Sequence, residues 1–328
     1  MTAVSESIIR RSTSPNFFII GAARSGTTAL AEILRHHPDA FVTQPKEPSF
    51  LAFAGQEVAF TGPGDDITIN RVAITDRDKY LSLYQSAGAK ACRGDASVST
   101  LYYSDHSVAT LQRYFSEAKL VVILRDPAAR AFSAYSYLRA RGVEPCDDFR
   151  DALDCEADRI RRGWHHIWHY VGMGRYARQL APFLETFGAN RVKILFYEEL
   201  NRDPVGVGRS LFEFLGLDPT AAVDLEPVNV SGEPRSRLLQ GAIRWAGRRH
   251  WLRSTTKAIM PFDLRERVRR ANLRPSGVPV DVREELEQVF ADESDELRVL
   301  LSRHCPELLS SAPPWLAASG SATEGARA

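Results

Sequence analysis

The sequence predicts an α/β fold: a P-loop-like central parallel sheet flanked by helices, with a helical C-terminal extension. Three observations predict it. Short apolar runs occur at Phe17–Ile20 and Leu120–Leu124, and Val192–Phe196 is apolar apart from Lys193; such segments read as buried strands. Segments with helical spacing of apolar residues lie between them, and strands alternating with helices give a parallel sheet covered on both sides. After about residue 218 the strand-like runs stop, and residues 234–310 read as helical and rich in Arg.

The elements follow in order. Residues 1–15 read as a tail. Phe17–Ile20 is a strand that ends at Gly21. Thr27–His37 reads as a helix with Ala29, Leu30, Ile33 and Leu34 on one face. Phe41 and Val42 form a second short strand before the proline-framed loop Pro45-Lys46-Glu47-Pro48. Residues 61–90 are of mixed polarity and take only loosely placed helices. Lys90–Gly94 leads into a strand, followed by a polar loop to Asp105 and a helix over His106–Phe115. Leu120–Leu124 is the strongest strand and ends at Arg125. Asp126 then supplies a helix N-cap and Pro127 the first helical position. Residues 148–162 and 174–187 read as helices, Val192–Phe196 as a strand and Pro204–Leu215 as a helix. The expected division is a tail (1–15), a sheet domain (16–218), a helical extension packed on that domain (219–316) and a small, polar tail (317–328).

The chain has 328 residues, 44% of them hydrophobic and 25% charged, with a formal net charge of +1. That balance gives no global attraction to nucleic acid, and no nucleic-acid-binding module is visible. No apolar run approaches the roughly 20 residues that span a bilayer. The first sixteen residues are polar, without an apolar signal core. Cys92, Cys146, Cys155 and Cys305 contain no C-x-x-C pair. A cytoplasmic protein with reduced thiols is the resulting expectation. Gly241–Arg253 mixes Ile243, Trp245, Trp251 and Leu252 with Arg244, Arg248, Arg249 and Arg253. Covering the sheet domain is the favoured role, ahead of acceptor contact or peripheral contact with an anionic membrane surface.

The segment Gly21-Ala22-Ala23-Arg24-Ser25-Gly26-Thr27-Thr28 joins the first strand to the first helix. Glycines let the backbone approach an anion closely, and a helix N-terminus offers unpaired N–H groups and partial positive charge. The hydroxyls of Ser25, Thr27 and Thr28 add donors. The spacing fits G-x-x-x-x-G, yet Thr27 stands where a nucleotide triphosphatase places its Lys for the β- and γ-phosphates. The loop's own positive charge is Arg24. A second anion site is read at the end of the strongest strand: Arg125 is delivered to the sheet edge where ligands bind, and the next helix carries Ser133. Asp126 in the same place also fits the Mg²⁺-linked Asp of a phosphate-loop kinase, although a helix N-cap accounts for it.

Together the two segments resemble the PAPS-dependent sulfotransferase family, where PAPS is 3′-phosphoadenosine-5′-phosphosulfate. Phe17 to Thr28 is similar to the family's 5′-phosphosulfate loop. Leu120–Arg125 followed by Asp126-Pro127-Ala128-Ala129-Arg130-Ala131-Phe132-Ser133 is similar to its 3′-phosphate motif. Lys46-Glu47-Pro48-Ser49-Phe50 resembles the K-E-x-x-F segment of heparan-sulfate-type and bacterial carbohydrate sulfotransferases. A less specific likeness runs from Gly174-Arg175-Tyr176 to Phe196-Tyr197-Glu198-Glu199-Leu200, so that about residues 16–218 are covered. The chain departs from the heparan-type pattern at Arg24, where those enzymes usually carry Lys, and at Ser49, where many carry His.

The resemblance implies an enzyme that moves a sulfonate group from PAPS to a hydroxyl, or less readily an amine, of a carbohydrate, glycolipid or small natural-product acceptor, without a metal. It implies that Arg24, Ser25, Gly26, Thr27 and Thr28 hold the 5′ end of the donor and that Arg125 and Ser133 hold the 3′-phosphate. Arg235 and Arg237, in a segment loosely similar to the family's late cofactor-covering loop, are further phosphate candidates. Glu47 is implied as the general base, with Arg24 stabilising charge on the leaving phosphate. From the residues alone, Lys46 and Glu47 read as an ordinary surface pair. Lys46, Asp95, His165 and His169 are candidate acceptor contacts; Asp95 is also a second candidate base, although a helix or turn cap is the commoner role for such a residue. His165 and His169 lie in Trp164-His165-His166-Ile167-Trp168-His169-Tyr170, where a helix would set them at i, i+4, a metal-ligand spacing with no third ligand nearby; plain helix packing is the favoured role of this segment, ahead of an aromatic lining for a sugar or apolar acceptor. The competing readings are a P-loop kinase-like nucleotide enzyme and a non-catalytic PAPS- or glycan-binding protein.

Overall fold

The computed structural model describes residues 14–223 and 277–317, together with the backbone of a short strand pair at 233–234 and 273–274. Arg235, Arg237 and the Gly241–Arg253 segment lie outside the described residues.

Five strands form one parallel sheet: β1 (Phe17–Gly21), β2 (Ala40–Val42), β3 (Cys92–Asp95), β4 (Lys119–Leu124) and β5 (Val192–Phe196). Their spatial order is β2-β3-β1-β4-β5, with every neighbouring pair parallel. The apolar runs alternate between two faces because successive side chains on a strand point to opposite sides. Phe18, Ile20, Leu120, Val122 and Leu124 enter one core cluster; Phe17, Ile19, Val121 and Ile123 enter the other. β1 lies close against β3, where Phe17 pairs with Gly94. A Cβ on Gly94 would come to 2.2 Å from the Phe17 carbonyl oxygen, so no larger residue fits there.

Helix α1 (Thr27–His36) follows β1 and buries Leu30, Ala31, Ile33 and Leu34. It shares its face of the sheet with Val207, Leu211 and Phe212 of the helix Pro204–Leu215. The opposite face is covered by residues of the helices Ser104–Tyr114 and Tyr176–Phe187, and by Leu297 and Leu301 of the late helix Ala291–His304. The late helix Ala291–His304 thus shares a core with the sheet. Helix α2 (Pro127–Ala140) follows β4, capped by the Asp126 carboxylate on Ala129 N–H at 2.7 Å, with Pro127 at its first turn.

Several details differ from the sequence reading. The helix expected over 148–162 is two short helices, Phe149–Asp154 and Glu156–Arg161. The polar loop after β3 contains the helix Ser99–Tyr102, and residues 166–168 form a 3₁₀ turn rather than α-helix. The C-terminal region, expected to lack strands, contains the antiparallel pair Glu233–Pro234 with Leu273–Arg274. Two-residue strands are too short to leave a periodic signal. No helix among the described residues is long and apolar enough to cross a membrane.

Candidate functional site

Because β1 and β4 are adjacent and parallel, their C-terminal ends place residues 21–28 beside Arg125 and α2. Ala22 N–H donates to the Ile123 carbonyl at 2.8 Å, which ties the loop to β4. Gly26 precedes α1 at φ 105°, a left-handed conformation that favours glycine. No side chain caps α1, so its first N–H groups face the loop's hollow without a side-chain acceptor. The Ser25 hydroxyl is buried beside the Tyr176 phenol and makes no well-formed hydrogen bond. Uncapped helix donors and an unmet buried hydroxyl suit an oxyanion.

The two anion sites read from the sequence meet here. Arg24, itself at φ 66°, points its Nε at the Ser133 hydroxyl, 3.3 Å away. Arg125 Nη1 donates to the Arg24 carbonyl at 3.0 Å. The Tyr176 hydroxyl donates to the Arg125 carbonyl at 2.8 Å, and burial pushes that phenol up to about 12. Two aromatic partners were not read from the sequence. The Arg24 guanidinium lies 4.5 Å from the Tyr137 ring centre, and that of Arg125 lies 4.4 Å from the Tyr197 ring centre. Tyr137 is four residues beyond Ser133 on α2, so the helical period carried a signal for it. Tyr197 follows β5, and only the sheet order brings it to Arg125.

Lys46 and Glu47 approach from the loop after β2. Ala96 N–H donates to the Lys46 carbonyl at 3.0 Å, and Ser49 N–H to the Ser97 hydroxyl at 3.0 Å. Backbone bonds to the end of β3 therefore fix this loop in addition to its prolines. The Lys46 ammonium reaches Thr27 Oγ1 at 3.2 Å, Thr28 Oγ1 at 3.3 Å and Glu47 Oε1 at 2.9 Å. An ammonium thus stands over the first turn of α1, supplied by a different loop from the one that holds the Lys of a triphosphatase. Glu47 retains 41% side-chain exposure and opens to solvent. Asp126 is occupied as the α2 cap and by Arg283 at 3.2 Å.

Asp95, His165 and His169, expected as acceptor contacts, are placed differently. Asp95 is 2% exposed and accepts the hydroxyls of Tyr80 at 2.6 Å, Tyr84 at 3.3 Å and Ser97 at 2.8 Å. Burial raises its pKa to about 6, although the three hydroxyls favour the ionised form. Through Ser97 it braces the loop that carries Glu47. His165 Nδ1 lies 2.7 Å from Asp65. Burial works to raise the Asp65 carboxyl, but the hydrogen bond and charge of His165 hold it below its usual value. His169 pairs with the Tyr102 hydroxyl at 2.7 Å and with the Trp164 carbonyl at 3.0 Å, and burial drives it down to about 4. Both rings are engaged in packing between segments. Among the described residues no group of three or more His, Cys, Asp or Glu side chains stands ready to hold a metal ion.

Residues 15–221 match the model of the sulfotransferase family. The chain is 28% identical over 209 residues to the Mus musculus heparan sulfate glucosamine 3-O-sulfotransferase 3B1, covering 62% of this chain and 46% of that protein. It is 26% identical over 282 residues to the Mus musculus carbohydrate sulfotransferase 15, covering 69% and 48% respectively. The chain spans about half the length of these curated relatives. A solved sulfotransferase from Alicyclobacillus acidocaldarius superposes with a TM-score of 0.67 at 31% identity, covering 90% of this chain and 98% of that one. With the family match extending over more than half of the chain and this solved fold over 90% of it, the protein belongs to the sulfotransferase family.

Proposed function

We propose that the chain transfers a sulfonate group from PAPS to a hydroxyl of a carbohydrate or related small acceptor, with Glu47 as general base. One observation carries the reading: Arg24, Arg125 and Ser133 converge at the adjoining ends of β1 and β4. A nucleotide with anionic groups at its 5′ and 3′ positions needs two neighbouring oxyanion sites. The uncapped start of α1, the unmet Ser25 hydroxyl and the Lys46 ammonium fit the first. Arg125 and Ser133 fit the second. The names of the curated relatives, which act on heparan sulfate glucosamine and on carbohydrate, favour a sugar acceptor.

The donor supplies an activated sulfur and a phosphate leaving group; positioning and charge stabilisation remain for the protein. Glu47 takes the proton of the acceptor hydroxyl, a contribution typically worth about 10²–10⁴-fold. Its pairing with Lys46 keeps the carboxylate beside the phosphate loop. Arg24, Lys46 and the first N–H groups of α1 face the site where negative charge grows on the leaving oxygen.

Calorimetry with adenosine 3′,5′-bisphosphate tests the donor assignment. Binding is expected, with marked weakening when the ligand lacks its 3′-phosphate. Equal affinity for both nucleotides, or none for either, removes the reading. Transfer of labelled sulfate to a mixed set of sugars then separates an enzyme from a non-catalytic binding protein.

A further inference from the structure

We propose that Cys146 and Cys155 form a reversible disulfide, a modification site that clamps the two ends of the helix Phe149–Asp154. Their Sγ atoms lie 3.8 Å apart, both side chains are half-buried, and both thiols are free. A disulfide bond is about 2.05 Å long, so closure needs an approach of about 1.8 Å between the two sulfurs.

The contact is held by structure on both sides. Phe149 is buried against the rings of Phe132, Tyr135 and Tyr170, which anchors the helix between the two cysteines. Asp148 caps that helix on Arg150 N–H at 2.8 Å, and Cys155 N–H donates to the Asp151 carbonyl at 3.1 Å. On the other side Glu144 accepts Cys146 N–H at 2.8 Å and pairs with Arg159, whose Nη2 also lies 3.4 Å from Cys146 Sγ. The thiols are therefore presented to each other by two anchored segments.

Burial, with Glu144 and Cys155 adding to it, pushes the Cys146 thiol up to about 12, so it is protonated at neutral pH and a poor first nucleophile. Cys155 is the first to react. With a small-molecule disulfide such as oxidised glutathione as oxidant, its sulfur attacks one sulfur, expels a thiolate and forms a mixed disulfide. Cys146, held 3.8 Å from the Cys155 sulfur, then attacks it; its proton passes to the expelled second thiolate as the new S–S bond forms and the mixed disulfide breaks. The two protein thiols lose two protons and two electrons, and the oxidant leaves as two thiols. The Arg159 guanidinium sits where the Cys146 sulfur gains negative charge in the second step.

The inference is independent of the proposed donor and acceptor. The test treats the full chain with oxidised glutathione, blocks remaining thiols with N-ethylmaleimide in denaturant, and maps tryptic peptides. Cleavage after Arg141, Arg150 and Arg159 separates the two cysteines onto adjacent peptides. The expected product joins peptide 142–150 to peptide 151–159, falls apart with dithiothreitol, and leaves Cys92 and Cys305 alkylated. In Cys146→Ser the reaction should stop at glutathione on Cys155. Stable glutathione on both cysteines of the unmodified chain, or full alkylation of both, overturns the proposal.

Discussion

Arg125 holds Arg24: its guanidinium donates 3.0 Å to the Arg24 carbonyl, so the end of β4 supports the loop that follows β1. The two residues were read from separate motifs about a hundred positions apart. In the fold they form one surface, with Ser133 against the Arg24 side chain. A change in one motif is therefore expected to disturb the other.

Glu47→Gln keeps the size of the side chain and removes its basicity. Turnover is expected to fall by about 10²–10⁴-fold while affinity for adenosine 3′,5′-bisphosphate is retained. Single-turnover kinetics alongside calorimetry check the split. Near-normal turnover removes Glu47 from the role of base.

Lys46→Met removes the ammonium over Thr27 and Thr28 but keeps an apolar stem. Hydrogen bonds to charged groups are worth about 1.5–3 kcal/mol, so donor affinity is expected to drop roughly ten- to a hundredfold. Titration of the variant with the bisphosphate nucleotide reads this directly. An unchanged dissociation constant would place Lys46 outside the donor site.

Asp95 gives a pH signature. Its folded pKa, about 6, lies above its ordinary 3.8 because burial penalises the charge. The native state therefore holds the proton more tightly than the unfolded chain. The associated stability is full below 3.8 and is lost as pH rises through about 6. At about 1.36 kcal/mol per unit this amounts to about 3 kcal/mol. Asp95→Asn should gain on the parent by that order between about pH 4 and about pH 7 in urea unfolding. A stability difference independent of pH contradicts the assignment.

The Glu144–Arg159 pair is buried, with side-chain exposures of 0% and 2%, and Glu144 also accepts the Tyr170 hydroxyl. Glu144→Ala leaves a guanidinium buried without its carboxylate and is expected to cost about 3–5 kcal/mol. Chemical denaturation measures it, with Glu285→Ala as the exposed comparison because Glu285 pairs with Arg150 at the surface. Equal losses from the two variants would mean the buried pair contributes nothing special.

How much of this was legible in the sequence depended on the range of the interactions. Leu120–Leu124 announced a buried strand by its own composition, and Asp126-Pro127 announced the start of α2 by local capping chemistry. The helix over 148–162 was misread because its break at Cys155 carries neither Gly nor Pro, the usual punctuation. Asp95, His165 and His169 are candidate acceptor contacts by residue type alone, and their local sequence does not show what engages them. Tyr80, Tyr84, Asp65 and Tyr102, which engage them, come from other segments.

By itself the sequence determined the strands, the glycine-bearing turn into α1 and the residue types that suit an anion, because these depend on neighbours within a few positions. The tertiary structure decided which of those residues meet. The order β2-β3-β1-β4-β5 sets Arg24 against Ser133 and lets β3 carry Lys46 to Thr27, while the same packing buries Asp95. Contacts between distant segments depend on how the sheet is wound, and no local pattern of residues encodes that winding.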